Sequence, residues 1–356
     1  MESEATAHPA ASIVRPLFTA LVVAALVTVA GLTYVKWWPY YNRILKVLAT
    51  HTMGTSIFGT QGYFTAFTWS AAWAYFVKYF KAVYQAAILG IVIGGAVEAL
   101  LPTAWISRYF SGTGFRPTLL AGVSSLPGMM CSCCATPVVV GLRKRNVSAG
   151  ASLAFWMGNP ALNPVTITLM AIILGWRFTA IRVLFAALVV FGVSYWVDRR
   201  FRDESRPATA APAFVELSTG PAEHWAWRWL KASGRIALWL VPEYLVVVLL
   251  TGLLGGLFFP QGIGAWSHSA IALVLVALGG TLFVIPTAAE IPIVQGLMSV
   301  GLPAAPAMAL LLTLPTISLP SLIMLDRSFR LRTLLWVTAA VVIAGVLGGA
   351  LAGWLL

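Results

Sequence analysis

Charged residues are scarce in this chain. They make up 10% of its 356 residues, whereas 60% are hydrophobic, and the mean hydropathy is +0.87. A soluble globular protein carries about 25% charged residues. The deficit excludes that class and predicts an all-α polytopic membrane protein. The net charge of +12 does not indicate a nucleic-acid partner, because the basic residues lie in short loops between apolar runs.

Cysteine is also scarce, and all three cysteines, Cys131, Cys133 and Cys134, lie within four positions. Three cysteines do not make a disulfide framework. A structural zinc site would need a His or a fourth Cys nearby, and the neighbouring sequence has neither. A Walker motif is absent as well, so we expect no ATP-driven activity and no bound cofactor.

Long apolar runs dominate the rest of the chain. Eight of them are predicted to span the membrane: Leu17–Val35, Thr55–Val77, Ala82–Leu101, Val147–Leu174, Phe178–Val197, Ile236–Phe259, Leu302–Leu325 and Thr333–Leu356. Residues 198–235 form the one long polar stretch, which predicts a cytoplasmic linker between two halves. The implied organisation is N-terminal helices over 1–81, a first unit over 82–197, the linker, and a second unit over 236–356.

The cysteines lie in a segment that is apolar but unsuited to a continuous helix. Residues 118–142 carry no charge, yet Pro127, Gly128 and Pro137 interrupt them. Irregular backbone at membrane depth is tolerated only where it is buried in protein or lines a cavity. This segment is therefore the first candidate for a functional site.

A weak internal repeat relates the two halves. With a shift of 155 positions, four structure-breaking or neighbouring residues meet identical ones: Pro137, Gly141, Leu142 and Pro160 fall on Pro292, Gly296, Leu297 and Pro315. Placing the basic clusters on the cytoplasmic side is possible only if residues 118–142 and 281–297 are re-entrant hairpins. The hairpins then enter from opposite faces, which predicts an inverted repeat of about eight transmembrane helices and two hairpins.

Several residues could carry chemistry at these breaks. Thiolates are soft ligands, suited to soft cations and metalloids, although buried cysteines also serve as small apolar residues. Glu290 is the only charge between residues 270 and 325, and an intramembrane carboxylate is a candidate proton-coupling site. With no Lys or Arg in its own run, we expect it to be protonated at rest; a structural acid held by hairpin amides is the alternative.

Three further polar residues lie in or at the end of predicted spans. Glu98 is either a second coupling site or an interfacial acid paired with Arg108 or water. Asn159 and Asn163 both precede prolines, so their amides either satisfy backbone groups freed by the break or line a substrate path.

The thiol segment resembles the predicted permeases of the ArsP/YraQ type, through Cys131-Ser132-Cys133, Pro137 and the Asn-Pro of the following helix. The resemblance covers about residues 82–356. It implies a permease, not an enzyme, in the inner membrane of a bacterial-type cell. Some such permeases export trivalent organoarsenicals. Cys134 departs from the motif, where a Gly or Ser is expected.

The resemblance and the residues together predict a secondary transporter that exports a small thiophilic species, such as a trivalent organoarsenical. Its substrate-binding residues would be the thiol segment and the two asparagines: Cys131, Ser132, Cys133, Cys134, Pro137, Asn159 and Asn163. An intramembrane thiol–disulfide oxidoreductase is the main alternative, because Cys131 and Cys134 form a Cys-x-x-Cys pair. A structural partner in a membrane complex is a third interpretation.

Overall fold

The chain is helical throughout the part that the structure describes. This computed structural model describes residues 9–54, 69–102, 106, 109–110, 112, 114–201, 224–258, 269–299 and 301–356. The helices are α1 (Pro9–Leu32), α2 (Trp38–Thr50), α3 (Trp69–Leu100), α4 (Phe115–Ser125), α5 (Ser132–Lys144), α6 (Ala149–Ala161), α7 (Pro164–Ile173), α8 (Trp176–Ala187), α9 (Ser194–Arg200), α10 (Trp225–Phe258), α11 (Ala270–Leu282), α12 (Glu290–Ser299), α13 (Ala304–Thr316), α14 (Leu319–Leu325) and α15 (Leu331–Leu355). Short π-helical turns, Thr33–Trp37 and Leu188–Val193, join α1 to α2 and α8 to α9.

Six helical stretches among these residues are long and apolar enough to cross a membrane. They are Phe18–Thr50, Trp69–Leu100, Trp176–Arg200, Trp225–Leu253, Ala304–Leu325 and Leu331–Leu355. The prediction of an all-α polytopic membrane protein is therefore confirmed. The remaining helices are shorter, and most of them flank a break in the chain.

One prediction about the spans is wrong. Sequence patterning separated Thr55–Val77 from Ala82–Leu101, but Trp69–Leu100 is a single helix of 32 residues. Lys78 and Lys81 interrupt the hydropathy without interrupting the helix, because lysine is a good helix former and both side chains lie on an exposed face. Residues 55–68 lie outside the described residues.

The predicted linker is shorter than expected. Helix α9 extends to Arg200, and α10 begins at Trp225, so helix enters residues 198–235 from both ends. Asp198 is buried, where its carboxylate accepts hydrogen bonds from the Ser148 hydroxyl (2.9 Å) and the Gly150 amide (2.7 Å) at the start of α6. An acidic group is favourable at this position because the first amides of a helix are unpaired donors. Residues 202–223 lie outside the described residues.

The thiol segment folds as two antiparallel helices with a break between them. Helix α5 runs against α6, since Ser132 at its start accepts a hydrogen bond from Trp156 near the end of α6 (3.0 Å) and a short turn joins its other end to the start of α6. Helix α4 runs parallel to α6, because Ala121 clusters with Ala151 and Ser125 lies against Gly158. Consequently α4 and α5 run in opposite directions.

The second half repeats this arrangement. Helix α11 runs parallel to α13, with Leu273 near Ala305 and Gly280 against Thr313. The end of α12 is tied to the chain before α13 by a hydrogen bond from the Leu302 amide to the Leu297 carbonyl (2.9 Å). Each unit has one non-glycine residue of positive φ in its break, Met129 at 47° and Ala288 at 66°. Such a conformation is uncommon outside glycine and costs backbone energy.

Helix boundaries recur at the same spacing as the sequence repeat. The helices Ala149–Ala161 and Ala304–Thr316 each have 13 residues and start 155 positions apart. The stretches Trp176–Arg200 and Leu331–Leu355 each have 25 residues, again 155 apart. This agreement covers whole helices and is independent of residue identity, so it is stronger evidence for a repeat than four matching residues.

The corresponding helices α3 and α10 pack against each other in opposite directions. Near one end, Arg228 donates a hydrogen bond to the Ala99 carbonyl (2.7 Å). Midway, the hydroxyls of Tyr79 and Tyr244 lie 2.6 Å apart. Near the other end, Gly252 lies against Ala72. This antiparallel pair joins the two units and covers the thiol segment, because α3 also packs along α5.

Candidate functional site

The break in the thiol segment meets the second unit in the core of the molecule. The Ser132 hydroxyl at the start of α5 lies 3.0 Å from the Ser318 hydroxyl at the start of α14. The Cys133 sulfur lies 3.3 Å from the same Ser318 oxygen. All three side chains are buried. Residues that are 185 positions apart in sequence thus form one polar contact between the two units.

The other two cysteines form a close pair of free thiols. The sulfurs of Cys131 and Cys134 lie 2.8 Å apart, and both are buried. Cys131 is the N-cap residue of α5, so the pair lies at the positive end of a half-helix. Lys36 is also buried and lies in the neighbourhood of both sulfurs. Two soft ligands are therefore held together in a region of positive potential.

One proline and two asparagines determine the backbone hydrogen bonding around the break. Pro137 lies within α5, and because proline has no amide hydrogen, the Cys133 carbonyl lacks its usual helical donor. The Asn159 side chain accepts a hydrogen bond from the Met130 amide (3.4 Å) and donates one to the Phe155 carbonyl (2.9 Å). Asn163 caps α7, since its side-chain oxygen accepts from the Val165 amide (3.0 Å). In the structure, therefore, both asparagine side chains accept hydrogen bonds from backbone amides.

A small cavity of about 10 Å³ lies where the breaks converge. It is lined by Cys131, Pro160, Ile285, Pro286, Thr287, Ala288, Glu290 and Pro315. Its volume is about that of one water molecule. A thiol and a carboxylate share this cavity, so a species bound between the units would touch both groups, provided that the units separate to admit it.

The expectation that Glu290 lacks a cationic partner is wrong. Arg182 of α8 donates a hydrogen bond to Glu290 at 3.0 Å, and each side chain is 1% exposed. The partner comes from the other half of the chain, which is why a search of the acid's own apolar run missed it. Arginine stays charged in proteins, so Glu290 lies beside a buried cation and is not isolated among apolar groups.

Glu98 lies well away from this cavity. Its carboxylate pairs with Lys144 (2.8 Å) and Arg235 (3.4 Å). Lys144 ends α5, about 18 Å along that helix from Ser132. Glu98 therefore ties α3, α5 and α10 together at their common end. Arg108, its predicted partner, lies outside the described residues.

Sequence reasoning missed Arg182 and Lys36. Arg182 is the fifth residue of the predicted span Phe178–Val197, and an ionisable residue inside a span is a functional hypothesis by default. The position of Arg182 within a span therefore marks it as a candidate without a structure. Lys36 followed the first apolar run and resembled an ordinary interfacial lysine; only its burial beside the thiols distinguishes it.

Paired broken helices that meet at buried polar groups are typical of one class of protein, the multi-pass membrane permeases. The comparisons agree with this class. The model of the ArsP_1 family, described as predicted permeases, matches residues 116–354. This chain belongs to that family, which is one of transporters and not of enzymes.

Two relatives extend the match beyond the family segment. UPF0718 protein YraQ of Escherichia coli (strain K12) is 44% identical over 328 residues, which cover 92% of this chain and 93% of that protein. UPF0718 protein MJ0584 of Methanocaldococcus jannaschii is 22% identical over 334 residues, covering 76% of this chain and 92% of that protein. No solved structure matches. Together with the apolar helices, the family places the chain in the inner membrane as a multi-pass protein, and nothing in the comparisons supports an oxidoreductase.

Proposed function

We propose that this permease exports a small thiophilic species, such as a trivalent organoarsenical, through a site between its two broken-helix units. The observation that carries the proposal is the pair of free thiols, 2.8 Å apart, at the point where the units meet. Soft thiolate ligands favour soft atoms. Because the cavity beside Cys131 holds little more than one water, the structure represents a closed state, and export requires the units to move apart.

We further propose that the two breaks are the tips of re-entrant hairpins in an inverted repeat. The antiparallel directions of α4 and α5 support a hairpin, as does the hydrogen bond from the Ser148 amide to the Phe110 carbonyl (3.0 Å) at its open end. The antiparallel packing of α3 on α10 supports the inversion. The proposed units are the first and second repeats of the sequence, with each repeat extended at its start by α3 or α10.

This arrangement changes the expected number of crossings. The described helices would cross the membrane seven times, by α1–α2, α3, α6–α7, α8–α9, α10, α13–α14 and α15. The count is one below the predicted eight because Trp69–Leu100 is continuous. Two hairpins, α4–α5 and α11–α12, complete the fold.

Glu290 remains the proposed proton-coupling residue, and its contact with Arg182 gives protonation a structural consequence. Protonation of the carboxylate would weaken its attraction to Arg182 and so loosen a contact between the two halves. For Glu98 we propose a different part in the cycle. Its pairing with Lys144 and Arg235 supports a closing contact at the end of the hairpin where α5 leaves the membrane.

Transport by thiol variants in proteoliposomes tests the proposal. Methylarsenous acid is the probe, and its flux is compared among the wild type, Cys131→Ser with Cys134→Ser, Cys133→Ser alone, and the triple variant. Serine keeps the volume nearly unchanged but is a poor ligand for soft atoms. We expect a large loss in the double variant, a smaller one in Cys133→Ser, and the lowest flux in the triple variant. Wild-type flux in a well-folded triple variant would show that the thiols serve only as packing residues in the core.

A further inference from the structure

Four buried polar atoms beside the thiol site have no hydrogen-bond partner among the described residues. They are Arg182 Nε, Glu290 Oε2, Asn163 Nδ2 and Thr166 Oγ1. All four side chains are almost fully buried. Buried polar groups in folded proteins are nearly always hydrogen-bonded, and each exception calls for an explanation such as a bound ligand, ion or water.

These atoms belong to one place in the fold. The Arg182 guanidinium lies between α6 and α7, with one nitrogen 3.3 Å from the Pro160 carbonyl and another 3.9 Å from the Met170 sulfur. Asn163, Thr166 and Met170 recur at intervals of three and four residues, so they share one face of α7. Thr166 lies one helical turn before Met170 on that face, and Asn163 caps the start of α7, three residues after Pro160. The Arg182 guanidinium contacts both ends of this stretch, at Pro160 and at Met170.

The unpaired atoms are mainly hydrogen-bond donors. Arg182 Nε and Asn163 Nδ2 can only donate, and the Thr166 hydroxyl can donate or accept. Glu290 supplies the one obligate acceptor, and its other oxygen already binds Arg182. Three of the four unpaired groups can donate a hydrogen bond, and one of them belongs to the Arg182 guanidinium. This excess of donors favours an oxygen anion at this position.

We infer that the transported species carries an anionic oxygen group in addition to its soft atom. Arg182, Asn163 and Thr166 form the subsite for the anion, and Cys131 and Cys134 hold the soft atom. The two subsites adjoin, because Cys131, Pro160 and Glu290 line one cavity and Arg182 binds both Pro160 and Glu290. The inference rests on the proposed function and narrows its substrate class. The anion would compete with Glu290 for Arg182, so that binding opens the ion pair between the halves.

Two matched probes distinguish the contribution of the anionic group to binding from that of the soft atom. Methylarsenous acid and carboxymethylarsenous acid share the same trivalent arsenic, and the second adds one carboxylate. Equilibrium dialysis against the purified, full-length protein, with arsenic measured by elemental mass spectrometry, gives a dissociation constant for each. Because charge-assisted hydrogen bonds are the stronger kind, we expect the carboxylated probe to bind at least about tenfold more tightly to the wild type.

Two variants locate the preference. Asn163→Ser removes the amide donor but keeps a side-chain oxygen that can cap the helix. Serine also occupies the equivalent position of the second half, as Ser318. Thr166→Val removes the hydroxyl at similar volume. Both should lower the preference for the carboxylated probe several-fold, by weakening the binding of that probe more than the binding of methylarsenous acid. Thr168→Val is the matched control, because Thr168 lies on the same helix but is exposed, and it should keep the full preference.

The outcomes separate the inference from the proposed function. Equal binding of the two probes by the wild type would overturn the anion subsite and leave the thiol site standing. Binding of neither probe would overturn the proposed function and the inference with it. A preference that survives in both Asn163→Ser and Thr166→Val would also contradict the assigned subsite, and would mean that water satisfies these atoms.

Discussion

Among single residues, the ion pair between Arg182 and Glu290 is the most consequential for the electrostatics of the core. Charges removed from water are unfavourable unless they are paired and hydrogen-bonded. Here each partner comes from a different repeat, so the pair also connects the two halves. If the two halves move apart during transport, as proposed, this ion pair is a contact that must break.

Removing one member of this pair should destabilise the protein more than removing both. Arg182→Gln or Glu290→Gln alone leaves an uncompensated buried charge, which typically costs about 3–5 kcal/mol, whereas the double variant leaves none. Denaturant or thermal unfolding in detergent measures the difference. Glu243→Gln serves as control, since Glu243 and its partner Arg327 are both partly exposed, at 29% and 55%, and its loss should change stability by no more than about 1 kcal/mol. A double variant no more stable than either single one would contradict this description of the pair.

Part of the site could be predicted from single residues, and part could not. Clustered cysteines and a lone carboxylate in apolar sequence are visible without a structure, and Glu290 does line the cavity with Cys131. The partner Arg182 lies 108 positions away, and no local pattern indicates which charges meet across a fold. The same limit applied to Ser318, whose contact with Ser132 depends on the way the two repeats pack.

At the scale of elements, the thiol segment depends on a close backbone contact between α3 and α5. A side-chain carbon at Gly90 would collide with the Cys134 carbonyl, and one at Gly94 would collide with the Pro137 carbonyl. Small residues allow transmembrane helices to approach in this way. The continuity of Trp69–Leu100 could not be predicted from the hydropathy of the sequence, because two exposed lysines interrupt the apolar run.

Gly90→Ala tests this contact. The added methyl group must displace the α5 backbone at the cysteines, so we expect a loss of about 1–3 kcal/mol in unfolding free energy and reduced methylarsenous acid flux. Gly234→Ala is the matched control on α10, because no described atom lies within 4 Å of its added carbon. In an exposed helix position this change should be neutral or stabilise by up to about 1 kcal/mol. Equal behaviour of the two variants would show that the helices adjust without affecting the site.

At the scale of the whole molecule, two helical stretches of the first half recur with equal length 155 residues further along the chain, and the antiparallel pair α3 and α10 joins the two halves. Prolines and glycines indicated the breaks in advance, because proline fixes φ and lacks an amide donor, and glycine destabilises a helix through its conformational freedom. The direction of the repeat rested on charge alone, and the packing of α3 on α10 now supports the same direction. Alternating exposure of a site between two inverted units is the usual consequence of such a plan.

The most direct measurement of this plan is the sidedness of four single cysteines, each introduced into a cysteine-free protein. Arg116→Cys and Asn146→Cys flank the first hairpin, and Ile271→Cys and Ser299→Cys flank the second; all four positions are exposed. Labelling with a membrane-impermeant maleimide in intact cells and in inverted vesicles reports the face of each. The account predicts that the first two share one face, the cytoplasmic, and that the last two share the other. Opposite faces for the two members of either pair, or one face for all four, would contradict it.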